Sequence, residues 1–195
     1  MSQSLIYRNI YIYRLMMNLI YFGKYKRRFE NIYSLLKKEK TSNVIELCFG
    51  DTYIANFCKK NGIQWTGYDL NENFVAHAKR NHFNGLNEDI IKLDEFLKCD
   101  TYIMIGSLYH FKDDGVDLIR KMIQSSKQVI ISEPIKNLSS TKGIIGFVAR
   151  RSANTGKGHE VFRYNETSFI EMIEKLNVKY TVVAIDRDIL IEIKK

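Results

Sequence analysis

Three carboxylates stand at the ends of three apolar runs that read as successive strands: Glu46 in "NVIELCF", Asp69 closing "QWTGYDL" and Asp89 in "GLNEDII". After Glu46 the chain runs through Cys48, Phe49, Gly50, Asp51 and Thr52 into a helical pattern. Gly50 lets the backbone bend sharply and approach a ligand with no Cβ in the way, and the helix that follows offers unpaired amides to an anionic group. Asp69 lies 23 positions after Glu46, where a second parallel strand would end beside the first. A carboxylate there can accept two hydrogen bonds from a ribose diol. Its plainer role is an Asx turn or helix cap ahead of "NEN". Asp89 is placed to take the exocyclic amine of adenine. Each acid alone is an ordinary turn residue; three at successive strand ends point to an adenosine-containing ligand.

The elements that must position these side chains follow from hydrophobic periodicity. Strands are expected at 43–49, 64–70, 85–91, 99–107, 127–134, 179–186 and 189–195, and helices at 52–62, 71–81, 114–126 and 165–177. Asn71 is the expected cap of the second of these helices, whose Phe74, Val75 and Ala78 face inward. Pro134, the only proline, stops the fifth strand. Alternation of this kind gives an α/β fold with a mostly parallel sheet and helices on both faces, the last two strands supplying an antiparallel edge. Ligands of such open sheets sit beyond the carboxyl ends of the strands.

The ordered set "VIELCFGDTYIANF", "GYDLNENFVAHAKRN", "NEDI", "CDTYIMIGSLYHF" and "VIISEP" resembles the motifs of class I S-adenosylmethionine-dependent methyltransferases, over about residues 20 to 195. The resemblance implies a Rossmann-like seven-stranded sheet with its last strand antiparallel, and S-adenosylmethionine (SAM) as cofactor, leaving as S-adenosylhomocysteine (SAH). It implies that Glu46, Gly50, Asp69 and Asp89 take the family's cofactor positions, with Cys48, Phe49 and Asp51 in the same turn. Leu70 and Ile90 would sandwich adenine, and Gly106 and Ser107 would line the methionine portion. Two of the family's usual turn glycines are replaced, by Cys48 and Thr52, and Phe49 is bulky for its place. Thr52 can offer a hydroxyl to the methionine carboxylate instead. A pyrophosphate needs closer backbone approach than this turn allows, which disfavours a nicotinamide cofactor.

Tyr109 and His110 in "GSLYHF" fall beside the methyl group that the resemblance implies, and His159 lies in the long segment after Pro134; these three are the catalytic candidates, the histidines as bases for an acceptor that must lose a proton. Residues 135–163 are expected to form a lid or substrate loop, and residues 1–40 a helical cap, all within a single domain. Tyr25 and Arg27 are candidates to reach the cofactor carboxylate.

Composition bounds the function classes. The chain has 195 residues, 45% hydrophobic and 27% charged, ordinary values for a globular protein. Three cysteines, without CxxC spacing or a matching histidine pattern, argue against a disulfide framework or zinc site and fit a reducing cytoplasm. Arg8 and Arg14 interrupt the apolar N-terminal stretch, so neither a signal peptide nor a membrane span is expected there. A net charge of +8, concentrated in "KYKRRF" and around residues 150–163, suits nucleic acid, anionic lipid or an acidic substrate, or is simply solvated surface. The expected acceptor is a small molecule methylated on oxygen or nitrogen. The absence of an appended RNA-binding module or an Asn-Pro-Pro-aromatic signature favours it over RNA, and noncatalytic binding of an adenosine ligand is the third reading. The sequence leaves the oligomeric state open.

Overall fold

The β-branched runs form one sheet in the order β3-β2-β1-β4-β5-β7-β6, in a computed structural model that describes residues 5–136 and 162–195. The strands are β1 (Asn43–Leu47), β2 (Gln64–Tyr68), β3 (Asn84–Leu86), β4 (Cys99–Ile105), β5 (Ser126–Pro134), β6 (Tyr180–Ile185) and β7 (Asp188–Lys194). β1 to β5 pair in parallel, β7 runs antiparallel to β5, and β6 runs antiparallel to β7. The order reverses at β1, whose two neighbours are β2 and β4. A crevice opens at such a switch point because the connections on either side depart to opposite faces.

The last two strands form the expected antiparallel edge, with β7 inside, between β5 and β6, and β6 outermost. The physical reason is in the burial: five consecutive residues of β7, Ile189 to Ile193, are buried, whereas β6 is half exposed and can face solvent. β3 is only three residues long and ends at Leu86, so Asp89 sits in the turn beyond it rather than at the strand end. Its carboxylate accepts from Ile91 N at 3.3 Å, a local pairing that competes with the ladder.

Side chains alternate across the sheet and build two cores. On one face Ile45 and Leu47 of β1 meet α5 (Gly115–Gln124) and α6 (Glu166–Glu174) through Leu118, Ile119, Met122, Phe169 and Ile173. On the other, Val44 meets α2 (Glu30–Lys38), α3 (Tyr53–Lys60) and α4 (Glu72–Arg80) through Leu36, Ile54, Cys58, Phe74 and Ala78. This second face also carries α1 (Ile10–Ile20) and the short 3-10 helix Tyr25–Phe29. Asn71 caps α4, accepting from Asn73 N at 3.0 Å. Asn165 and Ser168 form a reciprocal capping box on α6. Side chains from the helical segments of residues 5–29, among them Tyr7, Tyr13, Tyr25 and Arg28, reach the end of the sheet at which β1, β2 and β4 stop.

Candidate active site

Beyond the carboxyl ends of β1 to β4 lies a cavity of about 380 Å³, within the range of small-ligand sites. Glu46, Cys48, Phe49, Gly50, Asp69, Leu70, Asp89, Ile90, Gly106, Ser107, Tyr109 and His110 all line it. One fold feature thus gathers twelve of the residues singled out by motif and spacing. Asp51 and Thr52 are not brought to it. Both are buried, and Asp51 takes Arg14 of α1 through both carboxylate oxygens, with Nη2 to Oδ1 at 2.7 Å and Nε to Oδ2 at 3.0 Å. These two residues fasten the N-terminal helix to the turn. His159 and most of the expected lid, residues 137–161, lie outside the described residues.

The turn after β1 owes its shape to its neighbours. Cys48 and Gly50 have φ of +53° and +54°, the left-handed conformation that costs a residue with a Cβ roughly 1 kcal/mol and glycine almost nothing. Asp69 Oδ2 accepts from Gly50 N at 2.9 Å and Oδ1 from Asn71 N at 2.8 Å, so one carboxylate ties the β1 turn to the start of α4. Each oxygen keeps a further lone pair for a ligand hydroxyl. Phe49, bulky for this place, packs edge-on against Trp65 with ring centroids 5.2 Å apart. Gly67 makes that possible, because a Cβ there would collide with both rings. Glu46 is buried beside them, its Oε2 accepting from Trp65 Nε1 at 2.9 Å.

Four lining residues come from places the motifs do not reach. Tyr7 and Tyr13 stand over the Gly50 turn with Phe74, the Tyr13 and Phe74 centroids 5.1 Å apart. Tyr25 and Arg28 enter from the 3-10 helix Tyr25–Phe29. Residues three apart share a face of such a helix, which is why Arg28 rather than the expected Arg27 accompanies Tyr25; Arg27 points to the exposed side. The Arg28 side chain is 5% exposed, and its Nε meets Asp188 Oδ2 at 2.5 Å. Its Nη2 is buried against Gly106 and has no hydrogen-bond partner among the described residues. A buried guanidinium nitrogen without an acceptor is costly unless an anion completes it. A carboxylate in the cavity is the simplest such anion.

At the far wall, the 3-10 helix Leu108–Phe111 presents Tyr109 and His110, whose rings lie 3.9 Å apart centre to centre, with the Arg163 guanidinium 3.8 Å over the Tyr109 ring. Burial holds the Tyr109 hydroxyl well above its ordinary pKa, so near neutral pH it is a proton-bearing donor. The backbone amides of Leu108 and Tyr109 donate to Glu133 at 3.1 and 3.3 Å. Glu133 sits fully buried one residue before Pro134, and desolvation lifts its pKa to about 8. The motif "VIISEP" contains it, but only the fold shows that it anchors the helix carrying Tyr109 and His110.

Burial likewise lifts Asp69 to about 6 and Glu46 well above the carboxylate range. All three groups hold protons in the folded chain that the unfolded chain releases from about pH 4 upward. Their contribution is therefore full at low pH and fades as pH rises, through 6 for Asp69 and through 8 for Glu133. The melting temperature should fall between pH 5 and pH 8.5, and Glu133→Gln should flatten the upper part of that fall. Scanning calorimetry of both proteins across this range tests it; parallel profiles for variant and parent would exclude Glu133 as the source.

No family model and no curated protein sequence matches the chain. Solved structures do. The mitomycin 7-O-methyltransferase MmcR superposes with a TM-score of 0.66 over 98% of this chain and 59% of its own, at 12% identity. Human N-acetylserotonin methyltransferase in complex with SAM gives 0.62 over 97% and 57%, at 14% identity. The plantazolicin methyltransferase BpumL in complex with SAH gives 0.63 over 86% and 81%, at 13% identity. The chain thus spans a little under three-fifths of the length of the first two.

Proposed function

We propose that this chain, which has the fold of class I SAM-dependent methyltransferases, binds SAM and moves its methyl group to an oxygen or nitrogen of a small-molecule acceptor. The observation that carries the reading is a convergence: the Gly50 turn, Asp69, Asp89 and the buried Arg28 Nη2, which has no hydrogen-bond partner among the described residues, all border one cavity at the switch point of the sheet. Asp69 would accept the ribose hydroxyls, Asp89 the adenine amine, Leu70 and Ile90 would border the base, and Arg28 would pair with the methionine carboxylate. SAM supplies a methyl group on a sulfonium whose leaving group is neutral. Positioning and exclusion of water can therefore carry most of the rate. Tyr7, Tyr13 and Phe74 cover the turn, and the buried Tyr109 hydroxyl would donate a hydrogen bond that orients the acceptor. Where the acceptor is a hydroxyl or an ammonium, a ring nitrogen of His110 would take its proton.

Methyl-labelled SAM incubated with the protein and with separate small-molecule, RNA and protein fractions of a cell extract tests the reading. Label entering the small-molecule fraction is the expected result. Label entering RNA would move the assignment to an RNA methyltransferase, and SAH binding without transfer to any fraction would leave a noncatalytic binder. The replaced glycine at Cys48, held at positive φ, is the feature that favours this last alternative.

A further inference from the structure

We propose that α1 is an interfacial helix that seats the protein on an anionic lipid surface. Tyr11, Leu15, Leu19 and Phe22 are 71%, 61%, 59% and 67% exposed, and Ile12 is 45% exposed. At about 100° per residue Tyr11, Ile12, Leu15 and Leu19 fall within one stripe of α1 about 100° wide, and Phe22 lies just past the end of the helix. A single exposed leucine is unremarkable; four large apolar side chains on one stripe of one helix, with an exposed Phe22 just past its end, are a surface that water does not favour.

What covers the stripe is decided by the charges around it. The sequence contains no Asp or Glu before Glu30, while Arg8, Lys24, Lys26 and Arg27 are all exposed next to the two ends of α1. Two copies of the chain packed stripe to stripe would bring these cations together with no acid to offset them. RNA would meet the cations but leave the apolar stripe in water. An anionic bilayer satisfies both, with the stripe in the acyl boundary and the cations among the headgroups. Tyr11 and Phe22 suit the interfacial depth. No described helix is long and apolar enough to cross a membrane, so the helix would lie on the surface rather than span it.

A second feature points the same way. Immediately past α1 opens a groove of about 440 Å³, bordered by Phe22, Lys24, Arg27, Lys136 and Arg187, with Asp186 and Asp188 also in its wall. Asp188 is already paired with Arg28 and accepts from Tyr21 Oη at 2.9 Å. Arg187 donates from Nη1 to Ile20 O at 2.5 Å, while its buried Nε has no hydrogen-bond partner among the described residues. Phe22, just past the apolar stripe, borders the groove, so a lipid headgroup phosphate could enter it while the neighbouring acyl chains meet α1.

Co-sedimentation of the full chain with phosphatidylcholine vesicles, with and without phosphatidylserine, tests the proposal. The chain should bind the anionic vesicles, less strongly as salt is raised, and only weakly the neutral ones. Leu15→Glu/Leu19→Glu should weaken that binding by at least about tenfold with an unchanged melting temperature, since both side chains are solvent-exposed. Lys24→Glu/Lys136→Glu should weaken binding to anionic vesicles and leave the weak binding to neutral ones unaltered. Failure to bind anionic vesicles, or binding that Leu15→Glu/Leu19→Glu leaves intact, would overturn the proposal. So would a dimer in sedimentation equilibrium that the same pair dissociates, because the stripe would then be a self-association surface.

Discussion

Replacing Arg28 by methionine is expected to lower stability by about 3–5 kcal/mol and to weaken SAH binding by roughly ten- to hundredfold. The stability loss comes from Asp188. It is 9% exposed, and without the guanidinium its charge would be left in the interior with, among the described residues, only the Tyr21 hydroxyl donating to it. For a protein of this size such a loss is a large share of the total, so the single variant is paired with Arg28→Met/Asp188→Leu. Removing both charges should restore much of the stability, since replacing a buried ion pair by apolar groups is often neutral or favourable. It should not restore SAH affinity, because the group facing Gly106 and the cavity would still be missing. Adenosine, which lacks the carboxylate, should bind the double variant and the parent alike. Urea melts and calorimetric titrations with both ligands separate the two effects. Equal loss for adenosine and SAH would mean that Arg28 only shapes the cavity.

Asp69→Ala should weaken SAH binding by more than tenfold, a loss of about 1.5 to 3 kcal/mol for a ribose contact. Asp69 also accepts from Gly50 N and Asn71 N, so alanine removes the tie between the β1 turn and α4 as well. Asp69→Asn keeps one acceptor for these amides and should lose less. The two causes are told apart by pH. With a pKa of about 6, the carboxylate is protonated below that pH and becomes a poorer double acceptor, so affinity of the parent should fall as pH drops from 7 to 5. Asp69→Asn should show no such fall. A dissociation constant unchanged by Asp69→Ala would refute the ribose assignment.

The sheet was legible where periodicity and punctuation agreed. "NVIELCF" and "CDTYIMIGS" carry β-branched and apolar runs bounded by glycine, and each is a central strand. Asn71 announces α4, and the strand-end rule brings Asp69 to the cavity wall. What the sequence could not show depends on long-range packing. No local pattern says that β7 inserts beside β5, since a hairpin of two apolar strands reads the same in either order. Tyr7, Tyr13 and Arg28 reach the cavity only because Arg14 fastens α1 to Asp51, 37 positions away, and because Arg28 finds Asp188 across 160 positions. Arg28 rather than Arg27 lies on the face of Tyr25, since residues three apart eclipse in a 3-10 helix, and no local pattern in "KYKRRF" announces that helix type. Asp51 and Thr52 belong to the right motif, yet they hold the cap in place instead of facing the cavity. Glu133 carried no signal beyond an acid before a proline.

The most direct measurement is a calorimetric titration of the purified protein with SAH, followed by its structure with the ligand bound. One-to-one binding in the micromolar range or tighter is expected, about −8 kcal/mol or better, with the ribose at Asp69, the adenine between Leu70 and Ile90, and the carboxylate on Arg28. No heat at millimolar SAH, or a nucleoside bound away from the ends of β1 and β2, would contradict it.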